Sequence, residues 1–177
     1  RTAASRYITG ATARKFVMAL RAAYDAVLIG ANTARLDDPQ LDVRLEENAE
    51  NIQCNPVRAV LDPNCTVKPE ARIFAAQGKT IIFCREELLV KQSDYPSSCS
   101  LVSLSRSPEG KGIGRFDTRA ALQYLLEQGC QKVLCEGGGQ LAGSLIDGGL
   151  VDELYWFVAP KMLVDKEALP VVASTNT

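Results

Sequence analysis

The chain contains no histidine. Zinc hydrolases, zinc deaminases and Ser-His-Asp hydrolases all place an imidazole on the metal or beside the nucleophile, so this one absence excludes three classes of chemistry. No two cysteines stand at CxxC spacing. Cys54, Cys65, Cys84, Cys99, Cys130 and Cys135 are scattered, several in strand-like surroundings, as reduced thiols of a cytosolic domain would be. The sequence therefore predicts no metal site and a cytoplasmic location. Apolar runs stop at the length of a strand, so neither a membrane span nor a signal peptide is expected. The charge is almost balanced, with 20 Lys and Arg against 21 Asp and Glu for a net −1. Such a chain lacks the electrostatic footprint of a protein that binds nucleic acid or an anionic membrane. Any cationic site has to be local.

What remains is an ordinary mixture, 46% hydrophobic and 23% charged over 177 residues, enough for one domain around a single core. Thr9 is a good N-cap for a helix from about Ala11 to Ala23, with Ala13, Phe16, Val17 and Leu20 as its apolar stripe and Arg14 and Arg21 toward the edge. Short runs rich in branched residues follow: Asp25 to Gly30, Val57 to Asp62, Thr80 to Cys84, Ser100 to Leu104 and Lys132 to Glu136. These read as strands. Between them come helix candidates at Glu86 to Lys91, at Thr118 to Gln128 behind an Asp117 cap, and after the glycines that follow Glu136. Alternation of strand and helix makes the class α/β. Asp152 to Pro160 reads as a longer strand near a sheet edge, and Leu45 to Pro56 and Arg106 to Arg115 as exposed excursions.

Two stretches carry candidate chemistry. From Val133 to Ile146 a buried strand runs into Glu136, then Gly137, Gly138 and Gly139, then an amphipathic helix with Leu141 and Leu145 on one face. Ligands collect beyond the carboxyl ends of parallel strands, and amides at the next helix N-terminus attract anions there. Glycines in that place permit positive φ and close approach of a phosphate. They equally suit a tight strand-to-helix turn with no ligand. The spacing is not the GxGxxG dinucleotide fingerprint, so a nicotinamide cofactor here implies a fold other than the standard Rossmann domain.

The second stretch, Asp25 to Arg44, sets a buried strand before a polar turn carrying Asn32, Thr33, Arg35, Asp37, Asp38, Gln40, Asp42 and Arg44. Thr33 offers a hydroxyl, Asp37 a carboxylate and Arg44 a guanidinium fork suited to phosphate. A helix cap and a solvated loop, with Asp38-Pro39 acting only as a turn, is the competing reading. Arg85, directly after the Thr80 to Cys84 strand, is placed to reach a nucleotide 2′-phosphate, or it is only an exposed arginine at a helix start. It is not counted among the site residues.

The segment VLIGANTARLDDPQLDVR resembles the GxxTxxxDDPxLxxR segment of the riboflavin-pathway reductases, the reductase half of bifunctional riboflavin deaminase-reductases. Further matches are SRYITG at Ser5 to Gly10, the Leu20-Arg21 pair, the EGG motif and LAGSLIDGGLVDELYWFVAPKML from Leu141 to Leu163. The similarity covers nearly the whole chain in order. It implies a dihydrofolate reductase-like three-layer α/β fold with a central, mostly parallel mixed sheet. It also implies NADPH-dependent reduction of the ribosyl group of 5-amino-6-(5-phosphoribosylamino)uracil to the ribityl chain. By motif position, Ser5, Arg21, Leu41, Arg44 and Glu136 would contact this phosphorylated pyrimidine ribosylamine. Tyr7, Thr33, Asp37 and the run Gly138, Gly139, Gln140, Leu141, Ala142, Gly143 and Ser144 would contact NADPH.

Tyr7 stands where many relatives carry tryptophan. Arg1-Thr2-Ala3 is similar to the tail of the family's SLDGRxA segment, so residues 1–177 are expected to form one reductase domain lacking its first strand and its C-terminal end. The HxE and PCxxC arrangement of the zinc deaminase half is absent, and a deaminase domain in the same full-length chain is a further expectation. A homodimer is expected, with the Asp152 to Pro160 strand pairing across a two-fold axis. The alternatives are a non-catalytic nucleotide-binding relative and an enzyme of the dihydrofolate reductase type.

Overall fold

The computed structural model describes residues 10–43, 55–104, 116–159 and 170–173. Five strands form one sheet: β1 (Ala26–Gly30), β2 (Val57–Leu61), β3 (Thr80–Cys84), β4 (Cys99–Ser103) and β5 (Val133–Cys135). Their spatial order is β4-β3-β2-β1-β5, and every pairing is parallel. No antiparallel strand, and so no mixed sheet, occurs among the described residues. The registers are level across the sheet, with Gly30 beside Leu61 and Leu61 beside Phe83.

Alternation along the strands builds two cores. Val27, Ile29, Val60, Ile82, Leu101 and Leu134 face one side, where they meet Leu20 of α1 (Ala11–Ala23), Ala34 of α2 (Ala31–Asp37), and Ile73 and Leu88 of 3₁₀ segments at Arg72–Phe74 and Glu86–Asp94. Ala26, Leu28, Ala59, Leu61, Ile81 and Phe83 face the other, against Ala121 and Leu125 of α3 (Thr118–Glu127) and Leu141 and Leu145 of α4 (Gly139–Asp147). The result is three layers, helix on sheet on helix. Residues 26–29 of β1 are wholly buried, as a central strand covered on both faces must be.

Four expectations are corrected or fall elsewhere. The polar turn after β1 is the helix α2. The stretch Glu86–Asp94 is 3₁₀ rather than α-helical, because adjacent Leu88 and Leu89 pack inward while Val90 is left exposed. Residues 151–159 form no strand, and Tyr155 and Phe157 lie against Phe16 of α1. Thr9, most of the 45–56 excursion and the whole of 106–115 lie outside the described residues, and Gly10 occupies the N-cap position of α1.

Candidate functional site at the carboxyl edge of the sheet

The chain leaves β1 toward β2 and works outward to β4, then returns to the opposite side of β1 as β5. The connection after β1 enters α2 on one face of the sheet, whereas the connection after β5 enters α4 on the other. Between two such diverging turns an open parallel sheet leaves a crevice at its carboxyl edge. The two candidate stretches meet there.

Glu136 is the first residue past β5, and its amide donates to Leu28 O at 3.1 Å, which keeps it in line with the sheet. Gly137 and Gly138 follow at φ +139° and +88°. Both values disfavour any side chain, which accounts for glycine at each position. A Cβ at Gly137 would stand 3.4 Å from Thr33 Oγ1 and Cγ2, and one at Gly138 would stand 3.5 Å from Thr33 Oγ1. Thr33 of α2 and the glycine turn therefore line one narrow cradle, and side chains there would fill it. Among the described residues the Thr33 hydroxyl has no hydrogen-bond partner, and no side chain caps the N-terminus of α4. Unmatched amides at a helix start and a free hydroxyl are donors suited to the diphosphate of a nucleotide.

Behind the cradle, on the α1 face, Arg21 reaches across to Glu136. Its Nε donates to Glu136 Oε1 at 2.5 Å and its Nη2 to Oε2 at 2.7 Å, a fork-to-fork pair, while Nη1 donates to Asp42 O at 3.1 Å. The two side chains are only 11% and 16% exposed, so the pair is shielded from bulk water. A guanidinium has five N–H groups, and three are engaged, which leaves two to donate to an anion. The site thus combines a cation in a fixed orientation with a carboxylate held at a strand end.

The remaining expected contacts divide. Leu41 is buried in the first core and holds φ +55°, a left-handed conformation that costs a bulky residue about 1–3 kcal/mol. Only its main chain is available to a ligand. Asp37 is exposed at the end of α2, one turn beyond Thr33. Gly138 and Gln140 are exposed, Gly139 and Ala142 half-buried. Leu141 packs in the second core, Ser144 Oγ lies 3.3 Å from Thr118 Oγ1, and Gly143 meets residues 170–173. A Cβ at Gly143 would fall 1.7 Å from Ala173 O, one at Gly139 would fall 2.3 Å from Pro170 O, and Ala173 N donates to Gly139 O at 2.9 Å. These two glycines therefore have a packing duty that their motif alone does not reveal. Ser5, Tyr7 and Arg44 lie outside the described residues.

Sequence reasoning named Asp42 in the polar turn but missed its role, which is played by its carbonyl. A main-chain acceptor leaves no mark on residue type.

Comparison with known proteins matches residues 1–174 to the family model of the RibD C-terminal domain. The chain is 34% identical over 167 residues to the riboflavin biosynthesis protein RibD of Escherichia coli, covering 90% of this chain and 43% of that protein. It is 30% identical over 168 residues to the 2,5-diamino-6-ribosylamino-4(3H)-pyrimidinone 5′-phosphate reductase of Methanothermobacter thermautotrophicus, covering 95% of this chain and 74% of that protein. A crystal structure of Acinetobacter baumannii RibD superposes on all of this chain and 45% of its own, with a TM-score of 0.74 at 26% identity. The chain thus spans less than half the length of the bacterial RibD proteins it matches.

Proposed function

The chain belongs to the RibD C-terminal domain family, and from that premise we propose that it reduces the ribosyl group of 5-amino-6-(5-phosphoribosylamino)uracil to the ribityl chain with NADPH. The fold is dihydrofolate reductase-like, as in its RibD relatives. The observation that carries the reading is the meeting of Arg21, Glu136, Thr33 and the glycine turn at the β1/β5 crevice.

In this reading the amides that open α4, at exposed Gly138 and Gln140 and half-buried Gly139, would hold the cofactor diphosphate and Thr33 would donate its hydroxyl. Asp37, Leu141, Ala142, Gly143 and Ser144 border the same cofactor, and Tyr7 supplies an aromatic face. The bound nicotinamide supplies a hydride. Arg21 and Arg44 clamp the substrate phosphate, for which guanidinium forks suit the geometry better than lysine would. Glu136 accepts from sugar or pyrimidine donors, and Ser5 and the Leu41 main chain complete the substrate side. Opening of the ribosyl ring moves a proton from the amine nitrogen to the ring oxygen and leaves a C1=N bond. Hydride then adds at C1 and a proton from water at nitrogen, which balances the reduction. Placement of the acceptor carbon in a water-poor site provides much of the rate. The free thiols Cys65, Cys84, Cys99, Cys130 and Cys135 support a reducing, cytoplasmic setting. The homodimer and a deaminase domain in the full-length chain are parts of the same proposal.

The test is loss of reduced-nicotinamide absorbance on adding this pyrimidine or its 2,5-diamino pyrimidinone counterpart. Nucleotide binding without turnover of either substrate would mean a non-catalytic relative, and turnover of dihydrofolate alone would reassign the enzyme.

A further inference from the structure

We infer that Arg85 selects NADPH over NADH by engaging the phosphate on the adenosine ribose, a step that rests on the crevice being a nicotinamide-nucleotide site. Arg85 directly follows β3, and its amide donates to Pro63 O at 3.3 Å, which ties it to the loop after β2 on the carboxyl edge. It is level with the crevice because Gly30, Leu61 and Phe83 share one row of the sheet. Its backbone is still extended, at φ −73° and ψ 149°. The alternation that packs Ile81 and Phe83 with Leu141 therefore carries Arg85 to the same face as α4.

Arg85 is half-buried, and its guanidinium has no hydrogen-bond or ion-pair partner among the described residues. A half-buried arginine whose five donors meet no described group is unlike Arg21, Arg35, Arg58, Arg72 and Arg119, each of which bonds to protein. A dinucleotide anchored at α4 has β5, the last strand on that side among the described residues, to one side and β1, β2 and β3 to the other. Its adenosine half then runs toward β3, about 10 Å from β1 at ordinary strand spacing. Glu86 and Glu87 follow Arg85 and are exposed, so an anion is held there by direct contact with the guanidinium and not by the general field.

The experiment is calorimetric titration of the whole chain with NADPH and with NADH, for the wild type, Arg85→Ala and Arg85→Lys. Arg85→Ala is expected to weaken NADPH at least about tenfold, the loss of charge-assisted bonds to phosphate, and to leave NADH within about twofold. Arg85→Lys, keeping the charge without the fork, should fall between. If wild type binds NADPH but Arg85→Ala leaves the NADPH-to-NADH ratio unchanged, this assignment alone is overturned. Wild type that takes up neither nucleotide overturns the crevice reading along with it.

Discussion

Single residues separate binding from mere folding in this molecule. Arg21 and Glu136 are shielded and matched at two points, so removing one leaves the other charged and only partly solvated. Glu136→Gln should lower stability by about 1–3 kcal/mol, the cost of an unpaired charge that retains some solvent. Arg21→Lys should instead raise KM for the phosphorylated substrate about tenfold or more, because lysine cannot pair with Glu136 and still offer a planar fork. NADPH affinity measured by titration should be unaffected by it. A fall in nucleotide affinity equal to the fall in substrate affinity would place Arg21 in the wrong subsite. The cysteines give a second prediction. Burial pushes Cys84 and Cys99 up to about 12, from a usual value of 9.0. A folded-state pKa above the unfolded one means that the unfolded chain releases protons first as pH rises. The contribution is complete below about pH 9 and is lost between about 9 and 12. A Cys84→Ala, Cys99→Ala variant should therefore show a shallower fall in melting temperature over that window than the wild type. Native thiol labelling at neutral pH should spare both positions.

At the scale of elements, the α4 start is where sequence, backbone and ligand chemistry coincide. Gly138→Ala places a side chain at φ +88° beside Thr33 and should cost about 1–2 kcal/mol, with loss of nucleotide binding. Gly143→Ala does something else. Its methyl would meet Ala173 O, so it should displace residues 170–173, read as faster proteolysis there, before it disturbs α4 itself. Most strands were legible because a sheet covered on both faces demands apolar, branched runs, which β1 meets throughout and β2 and β3 meet apart from buried Arg58, whose Nε donates to Thr80 Oγ1 at 3.1 Å. The helix α3 was legible from its periodicity and from Asp117, whose carboxylate accepts from Arg119 N at 2.9 Å. The helix α2 was not. It has seven residues, only Ala34 is buried, and Asn32, Thr33 and Asp37 are the types that also make turns. Its helicity comes from where β1 delivers it, which no local window contains. The Arg21 to Glu136 pair was hidden for a similar reason. Each residue could be singled out by motif, but contact across 115 positions depends on α1 lying over the β5 edge.

For the whole molecule, the open question of assembly turns on residues 151–159. Phe16 of α1 meets Tyr155 and Phe157 at ring separations of 5.7 and 5.8 Å, which leaves Tyr155 half-buried and Phe157 still 41% exposed. The outward set, Leu154, Trp156 and Val158, is 63%, 57% and 80% exposed. A segment that presents Leu154, Trp156, Phe157 and Val158 as a run of exposed apolar side chains is a surface that a second copy could cover. The expected strand assignment for this stretch rested on the turn before it at Gly148 and Gly149 and on Pro160 as its end. It fails among the described residues because nothing pairs with the segment, and a two-fold partner presenting the same surface would supply the missing hydrogen bonds. Trp156 is the only tryptophan, so its emission reports on this face alone. Association should shift that emission to shorter wavelength as concentration rises, in step with the sedimentation coefficient. Trp156→Glu, which puts a charge at the centre of the face, should hold the protein as a monomer and, compared with wild type diluted to monomer, change stability by no more than about 0.5 kcal/mol, since the site is exposed. If the wild type sediments as a monomer at high concentration, or dimerises with Trp156 still open to a polar quencher, pairing through this segment is wrong.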